Sequence, residues 1–286
     1  MNFKYAIITP VKDEEEYFTK TAESILRQEI RPTKWIIIND GSQDRTDEIV
    51  EQLVATNDWI IGIHNAPRAK RKPGGESVLQ AGLRLLRVDE YDFISRMDGD
   101  LAFEPFYFSR LFTEFIKNPR LGIASGVCFV PCGGRLMEER HPRFHTRGPL
   151  KTYRTSCFKA IDGLDTELGW DTIDEIKANM LGWQTRSFPE LQIVHFRKTQ
   201  TASGILPGLQ NLGRASYRLG YHPIFMLLRA MKQTLAKPYV VGGASMLWGY
   251  CQGYLKKMPR VDDPALIRYV REQQLRKILH QETIWK

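Results

Sequence analysis

The sequence predicts an α/β protein: a largely parallel sheet covered by helices on both faces, with a helical appendage at the C-terminus. Three observations lead there. Between Lys4 and Asp100, short β-branched and aromatic runs alternate with stretches of helical periodicity. Polar clusters fall at the ends of those runs. Beyond residue 220, apolar residues recur at helical spacing among basic ones. The 286 residues are 42% hydrophobic and 26% charged, which excludes disorder, collagen and coiled coil and allows a sizeable core.

In chain order, residues 5–9, 35–38, 59–63 and 93–97 read as buried strands, each bounded by polar or turn residues. Residues 16–28, 45–55 and 77–87 between them carry strong helix formers with apolar spacing of three and four. Right-handed crossovers then make a parallel sheet whose ligands bind beyond the carboxyl ends of the strands. Three polar clusters lie at those ends: Pro10-Val11-Lys12-Asp13-Glu14, Asn39-Asp40-Gly41-Ser42 and Asp98-Gly99-Asp100. No glycine-rich nucleotide or P-loop motif opens the first helix, which argues against a dinucleotide fold and a P-loop NTPase.

A strand running into Asp98-Gly99-Asp100 places both carboxylates on one face by its period of two. Such hard oxygen ligands select Mg2+ or Mn2+. Asp40 is either a hydrogen-bond acceptor for a ligand or turn chemistry, since N-D-G-S-x-D also suits a turn and a helix cap. Arg71 and Lys72 precede Pro73-Gly74-Gly75, where cationic heads can reach an anionic ligand or simply be solvated. Residues 141–148, rich in His, Arg and Gly, read as a mobile loop, with Tyr153 and Arg154 bordering the same region.

Four cysteines, Cys128, Cys132, Cys157 and Cys251, form neither a disulfide framework nor a zinc spacing. The opening residues read as a strand rather than a secretory leader. Both point to a reducing cytoplasm. The basic character sits in the C-terminal third: residues 196–286 hold 15 Lys and Arg against 4 Asp and Glu, while the remainder has net charge −3. Ile224, Leu227, Leu228, Met231 and Leu235 form one amphipathic helix, and Leu266, Tyr269, Val270 and residues 275–279 form another. Basic amphipathic helices suit the cytoplasmic surface of a membrane. The alternative is an appendage packed on the catalytic domain or on a second subunit. Residues 238–255 are uncharged but broken by glycines, too polar for a span of about 20 apolar residues, and so interfacial or re-entrant at most. The tail's aromatics sit among aliphatics rather than basic residues, against nucleic acid as partner.

Four motifs together resemble a family 2 glycosyltransferase of the GT-A fold. They are I-I-T-P-V-K-D-E-E, W-I-I-I-N-D-G-S-Q-D-R-T, the D-x-D of M-D-G-D, and G-W-D-T-I-D-E-I-K-A-N-M-L-G-W. The resemblance covers about the first 200 residues. It implies a Rossmann-like mixed sheet over residues 1–220, a nucleotide-binding half at 1–100, an acceptor half at 101–220, and a separate region at 221–286. It also implies an inverting, metal-dependent transfer of sugar from a nucleoside diphosphate donor, UDP by default, to a hydroxyl of a glycan or lipid-linked acceptor.

By the same resemblance Pro10, Asp13 and Asp40 line the nucleotide pocket, with Asp40 accepting from the base ring N–H. Asp98 contacts ribose or the ion, and Asp100 is the metal ligand. His195 completes the metal shell, and Arg197 holds phosphate. Family members carry Glu-Asp about a dozen residues before a Gly-aromatic pair. Counting back from Gly182-Trp183 aligns Asp171 with that Asp, the general base, and Trp170 replaces the Glu. Asp174 or Glu175 is available in the missing carboxylate's place. Asp171 also suits an N-cap for a helix over 173–181. A nucleotidyl- or pyrophosphoryl-handling enzyme would need a Gly-rich, Lys-containing loop after the first strand, and Pro10–Glu14 has no glycine.

Overall fold

The computed structural model describes residues 3–66, 76–139, 141–164, 169–197 and 204–284. The chain divides into two compact units, one of Met1–Thr166 with Leu181–Arg197, the other of Glu167–Met180 with Lys198–Lys286.

The first unit is a nine-stranded mixed sheet. Strands β1 (Tyr5–Val11), β2 (Lys34–Asn39), β3 (Ile60–His64) and β4 (Phe93–Met97) run parallel in the order β3-β2-β1-β4. The crossovers are α1 (Phe18–Leu26), α2 (Thr46–Thr56) and α3 (Glu76–Leu83). The sheet continues from β4 through β8 (Leu150–Arg154), β6 (Leu121–Cys132), β9 (Gln184–His195) and β5 (Leu101–Phe103), with β7 (Arg135–Glu138) beside β6. Here β8 is antiparallel to β4 and β6, while β6 and β9 run parallel. Among the described residues the unit also holds helices α4 (Tyr107–Lys117) and α5 (Thr155–Ala160).

Every residue of β1 is buried. Tyr5 and Ile7 join Trp35 and Ile37 of β2 in a core with Phe18 and Ile25 of α1 and Phe108, Phe112 and Phe115 of α4. The opposite face packs on α3, where a Cβ at Gly82 would lie 2.8 Å from both Ile8 and Ile38. Two buried faces explain the near-continuous apolar runs of the strands. One polar pair is folded in with its need met: the Trp35 indole N–H donates to Thr9 Oγ1 at 2.9 Å.

The second unit is helical: α6 (Trp170–Met180), α7 (Ile205–Arg218), α8 (Pro223–Thr234), α9 (Val241–Leu255) and α10 (Pro264–Ile278). Local chemistry sets two helix starts. Pro223 and Pro264 occupy first-turn positions, and the side chains of His222 and Asp263 accept from the N–H groups of Ile224 and Leu266. The uncharged stretch forms α9, and its glycines serve close packing. A Cβ at Gly249 would fall 2.1 Å from the Gln210 carbonyl oxygen, and one at Gly213 2.0 Å from that of Met246. Among the described residues no helix is long and apolar enough to cross a membrane.

Two expectations are corrected. Residues 141–148 are pinned rather than mobile: Thr185 Oγ1 donates to the Phe144 carbonyl at 2.6 Å, Ser187 N–H to that of Arg143 at 2.8 Å, and Arg147 N–H to Ser125 Oγ at 2.9 Å. Tyr153 and Arg154 are structural. Tyr153 is buried, and the Arg154 guanidinium donates to the carbonyls of Leu121 and Phe115.

Candidate active site

The carboxyl ends of β1, β2 and β4 share one edge of the sheet because the three strands are parallel neighbours. Pro10 is buried at the end of β1, paired with Ile38. The segments that follow β1 and β2 are stitched together. Lys12 Nζ donates to the carbonyls of Asp40 and Gly41, both at 3.0 Å. The N–H groups of Asp13, Glu14 and Glu15 donate to Ser42 Oγ, Thr46 Oγ1 and Asp44 Oδ2 at 3.0, 2.8 and 3.0 Å. In return Gln43 N–H donates to Asp13 Oδ1 at 2.8 Å. Asp13, expected in the nucleotide pocket, thus uses one carboxylate oxygen to fix the neighbouring loop, from a left-handed backbone of φ 53°. Asn39 Oδ1 accepts from Ser42 N–H and Oγ, which shapes the N-D-G-S turn. Asp40 is buried, and its Oδ1 accepts from Asn65 Nδ2 at 3.2 Å.

Asp98, Gly99 and Asp100 form a bend between β4 and β5, not a strand. The carboxylates converge through that bend rather than through strand alternation. The Thr21 hydroxyl of α1 holds it, meeting the Gly99 carbonyl at 2.8 Å and accepting from Leu101 N–H at 2.9 Å. Gly99 is required by space, since a Cβ there would lie 2.8 Å from Val11 Cγ1, with Glu14 and Phe18 close behind. Gly99→Ala is expected to cost about 1–3 kcal/mol, as overpacking does, read as a lower urea midpoint at unchanged slope.

His195, the last residue of β9, pairs with Leu101 and so arrives beside the bend. One nitrogen or oxygen each from Asp98, Asp100 and His195 lie within 4.8 Å of one another. His195 Nε2 stands 3.5 Å from Asp100 Oδ2, and Nδ1 3.9 Å from Glu139 Oε2. Burial alone would lower the imidazolium's pKa. Asp100 and Glu139 outweigh it, with Asp98 adding to them, and push the value up to about 9. Arg96 pairs with Asp98 at 2.8 Å, Arg147 with Glu139, and Arg197 lies between Glu14 and Asp100. Arg197, expected on phosphate, is therefore engaged by carboxylates. Tyr17 stacks on Phe196 at 5.0 Å.

The donor set fits a divalent ion: two carboxylates and one imidazole gather at the end of a strand pair, and His195 turns Nε2 toward Asp100. Glu139 and Arg96 escaped sequence reasoning, and Arg147 figured there only within the 141–148 segment. Arg96 stands two residues before Asp98, but nothing in the sequence announces that β6, β7 and the 141–148 segment bring Glu139 to His195.

Arg71 and Lys72 are outside the described residues. Asp171 belongs to the first turn of α6, so it is not the N-cap: the helix opens one residue earlier, where the N–H groups of Thr172 and Ile173 donate to the Gly169 carbonyl. The side chains of Trp170 and Asp171 are outside the described residues. Asp174 and Glu175, on the same helix, are both buried.

The sequence profile described as "Glycosyl transferase family 2" matches residues 6–167, more than half of the chain. The chain belongs to glycosyl transferase family 2. It is similar to the poly-beta-1,6-N-acetyl-D-glucosamine synthase of Staphylococcus epidermidis, 31% identical over 117 residues, which are 40% of this chain and 26% of that protein. It is also similar to the uncharacterized glycosyltransferase EpsJ of Bacillus subtilis strain 168, 30% identical over 40% of this chain and 30% of that one. The matched stretch thus spans less than a third of these relatives. Among solved structures, the mannosyltransferase PcManGT from Pyrobaculum calidifontis, in complex with GDP-Man and Mn2+, superposes with TM-score 0.57 at 12% identity, over 99% of this chain and 77% of that one. GalNAc-T7 with UDP, GalNAc and Mn2+ gives 0.61 at 12% identity, over 99% and 55%. The likeness establishes the GT-A fold: a mixed sheet followed by helices.

Proposed function

We propose that this glycosyltransferase moves a sugar, with inversion, from a nucleoside diphosphate donor, UDP by default, to a hydroxyl of a glycan or lipid-linked acceptor in cell-surface polysaccharide or glycolipid assembly. The observation that carries the reading is the convergence of Asp98, Asp100 and His195 at the sheet edge that also presents Asp40. Relatives named as poly-beta-1,6-N-acetyl-D-glucosamine synthase, and neighbours solved with GDP-Man and Mn2+ or with UDP, GalNAc and Mn2+, support it.

Asp40 accepts a hydrogen bond from the base. A carboxylate suits this because it is acceptor-only. Pro10 shapes the floor of the nucleotide pocket, and Asp13 holds the wall in place. Arg71 reaches the diphosphate. Asp100 and His195 hold Mn2+ or Mg2+, and Asp98 contacts the ion or the ribose. Bound there, the ion supplies charge neutralisation as the diphosphate departs. Asp171 takes the proton from the acceptor hydroxyl while that oxygen attacks the anomeric carbon. The bond to the diphosphate breaks on the opposite face and its electron pair leaves with the phosphate.

Two measurements test this. Thermal-shift assays with UDP, GDP, dTDP and CMP, with and without Mn2+, are expected to show a metal-dependent rise in melting temperature for one diphosphate. Asp171→Asn is expected to keep that shift and lose about 10^3-fold in turnover, within the range for a general base. A metal-independent shift counts against the ion site, and lost nucleotide binding in Asp171→Asn counts against its role as base.

A further inference from the structure

The apolar stripe of α8 faces outward. Residues Ile224, Leu227, Leu228, Met231 and Leu235 are 56, 49, 45, 56 and 80% exposed, while Met226 and Ala230 on the opposite side are buried. An apolar helical stripe normally faces a core. This helix has apolar residues on both sides and uses only the narrower set for its own packing.

Neighbouring elements extend the outward face. A Cβ at Gly243 of α9 would lie 2.5 Å from the Ala230 carbonyl oxygen, so the third turn of α8 meets the first turn of α9. Ser245 Oγ donates to the Leu206 carbonyl at 3.0 Å, which brings the start of α7 to the same end of the helical unit. Around that end Ile205, Tyr239, Val240 and Val241 are 66, 57, 67 and 54% exposed. Single exposed apolar residues are ordinary; a run of this extent across three elements marks an interaction surface.

Charge selects the occupant. No Asp or Glu occurs between Glu190 and Asp262, whereas ten Lys and Arg do. Lys232 sits one helical turn after Leu228, and Lys237 follows Leu235; both are exposed. An apolar face edged only with cations is what an interfacial helix presents to acyl chains and anionic headgroups together. Nucleic acid would match the charge but leave the leucines in water.

We infer that the outward face of α8, with the adjoining ends of α7 and α9, docks the protein on the surface of an anionic phospholipid bilayer. The inference stands independently of the transferase reading. Its test is co-sedimentation of the full chain with vesicles, one set of phosphatidylcholine alone and one with a third phosphatidylglycerol. Expected is partition onto the anionic vesicles at least tenfold above the neutral ones, weakened by salt. The triple variant Leu228→Gln, Met231→Gln and Leu235→Gln, all at exposed positions, is expected to lose at least tenfold of it with unchanged far-UV circular dichroism. Equal partition of variant and parent overturns the inference, as does failure of the parent to bind. A parent that forms dimers, which the triple variant abolishes without any vesicle binding, overturns it in favour of a second copy on this face. Nucleotide thermal shifts measured on the same variant should be unchanged, so lost lipid binding is distinguishable from a lost donor site.

Discussion

Asp100→Ala is expected to lower turnover about 10^4-fold and to remove the metal-dependent part of nucleotide binding. The magnitude follows from the work assigned to the ion. Neutralising a departing diphosphate is worth several kcal/mol, and about 5 kcal/mol at 1.36 kcal/mol per tenfold is between three and four decades, to which mispositioning of the donor adds. Asp100 is also the carboxylate that His195 and Arg197 share. Its removal leaves His195 facing Glu139 at 3.9 Å and Arg197 held by Glu14, so the cluster keeps a partner for each cation. The variant should therefore fold, and the loss should appear as activity rather than yield. Nucleotide titrations by calorimetry with and without Mn2+ separate the two. Equal affinities in parent and variant, whatever the metal, would falsify the assignment of Asp100 as ligand.

The part of this site that the sequence makes legible is the part built by consecutive residues. Strands β1 to β4 carry apolar runs that end in polar clusters, and parallel order alone then brings Asp40 and Asp98-Gly99-Asp100 to one edge. Illegible is what depends on distant pairing. Glu139 reaches His195 only because β6 pairs with β7 and β9. The interlock of residues 12–15 with 40–46 is invisible too, because Ser42, Asp44 and Thr46 look like turn and cap chemistry for their own loop while they accept from its neighbour. Apolar spacing likewise identified α8 as a helix without saying which side faces water. Periodicity reports that a stripe exists, and packing decides what covers it.

Gly213→Ala is expected to destabilise the helical unit by about 4 kcal/mol, beyond the usual cost of a single added methyl group. Ala is the better helix former by about 1 kcal/mol, so propensity alone predicts stabilisation. Space predicts the reverse. The new Cβ would stand 2.0 Å from the Met246 carbonyl oxygen and 2.8 Å from the Tyr250 nitrogen, both main-chain atoms of α9. No rotamer change relieves a clash with backbone. The helices must part by more than 1 Å, and that loosens the packing of Gly249 on Gln210 and of Gly253 on the Tyr217 ring as well. Gly242→Ala, on the partner helix α9, is the matched control. Its nearest neighbour is the Leu209 methyl tip at 3.2 Å, which can give way, and its expected cost is below about 1 kcal/mol. Urea unfolding followed at 222 nm measures both. If the two variants shift the midpoint equally, close backbone approach is not what Gly213 provides; if only Gly213→Ala collapses, it is the main chain of α9 at Met246 and Tyr250 that requires a glycine at position 213 of α7.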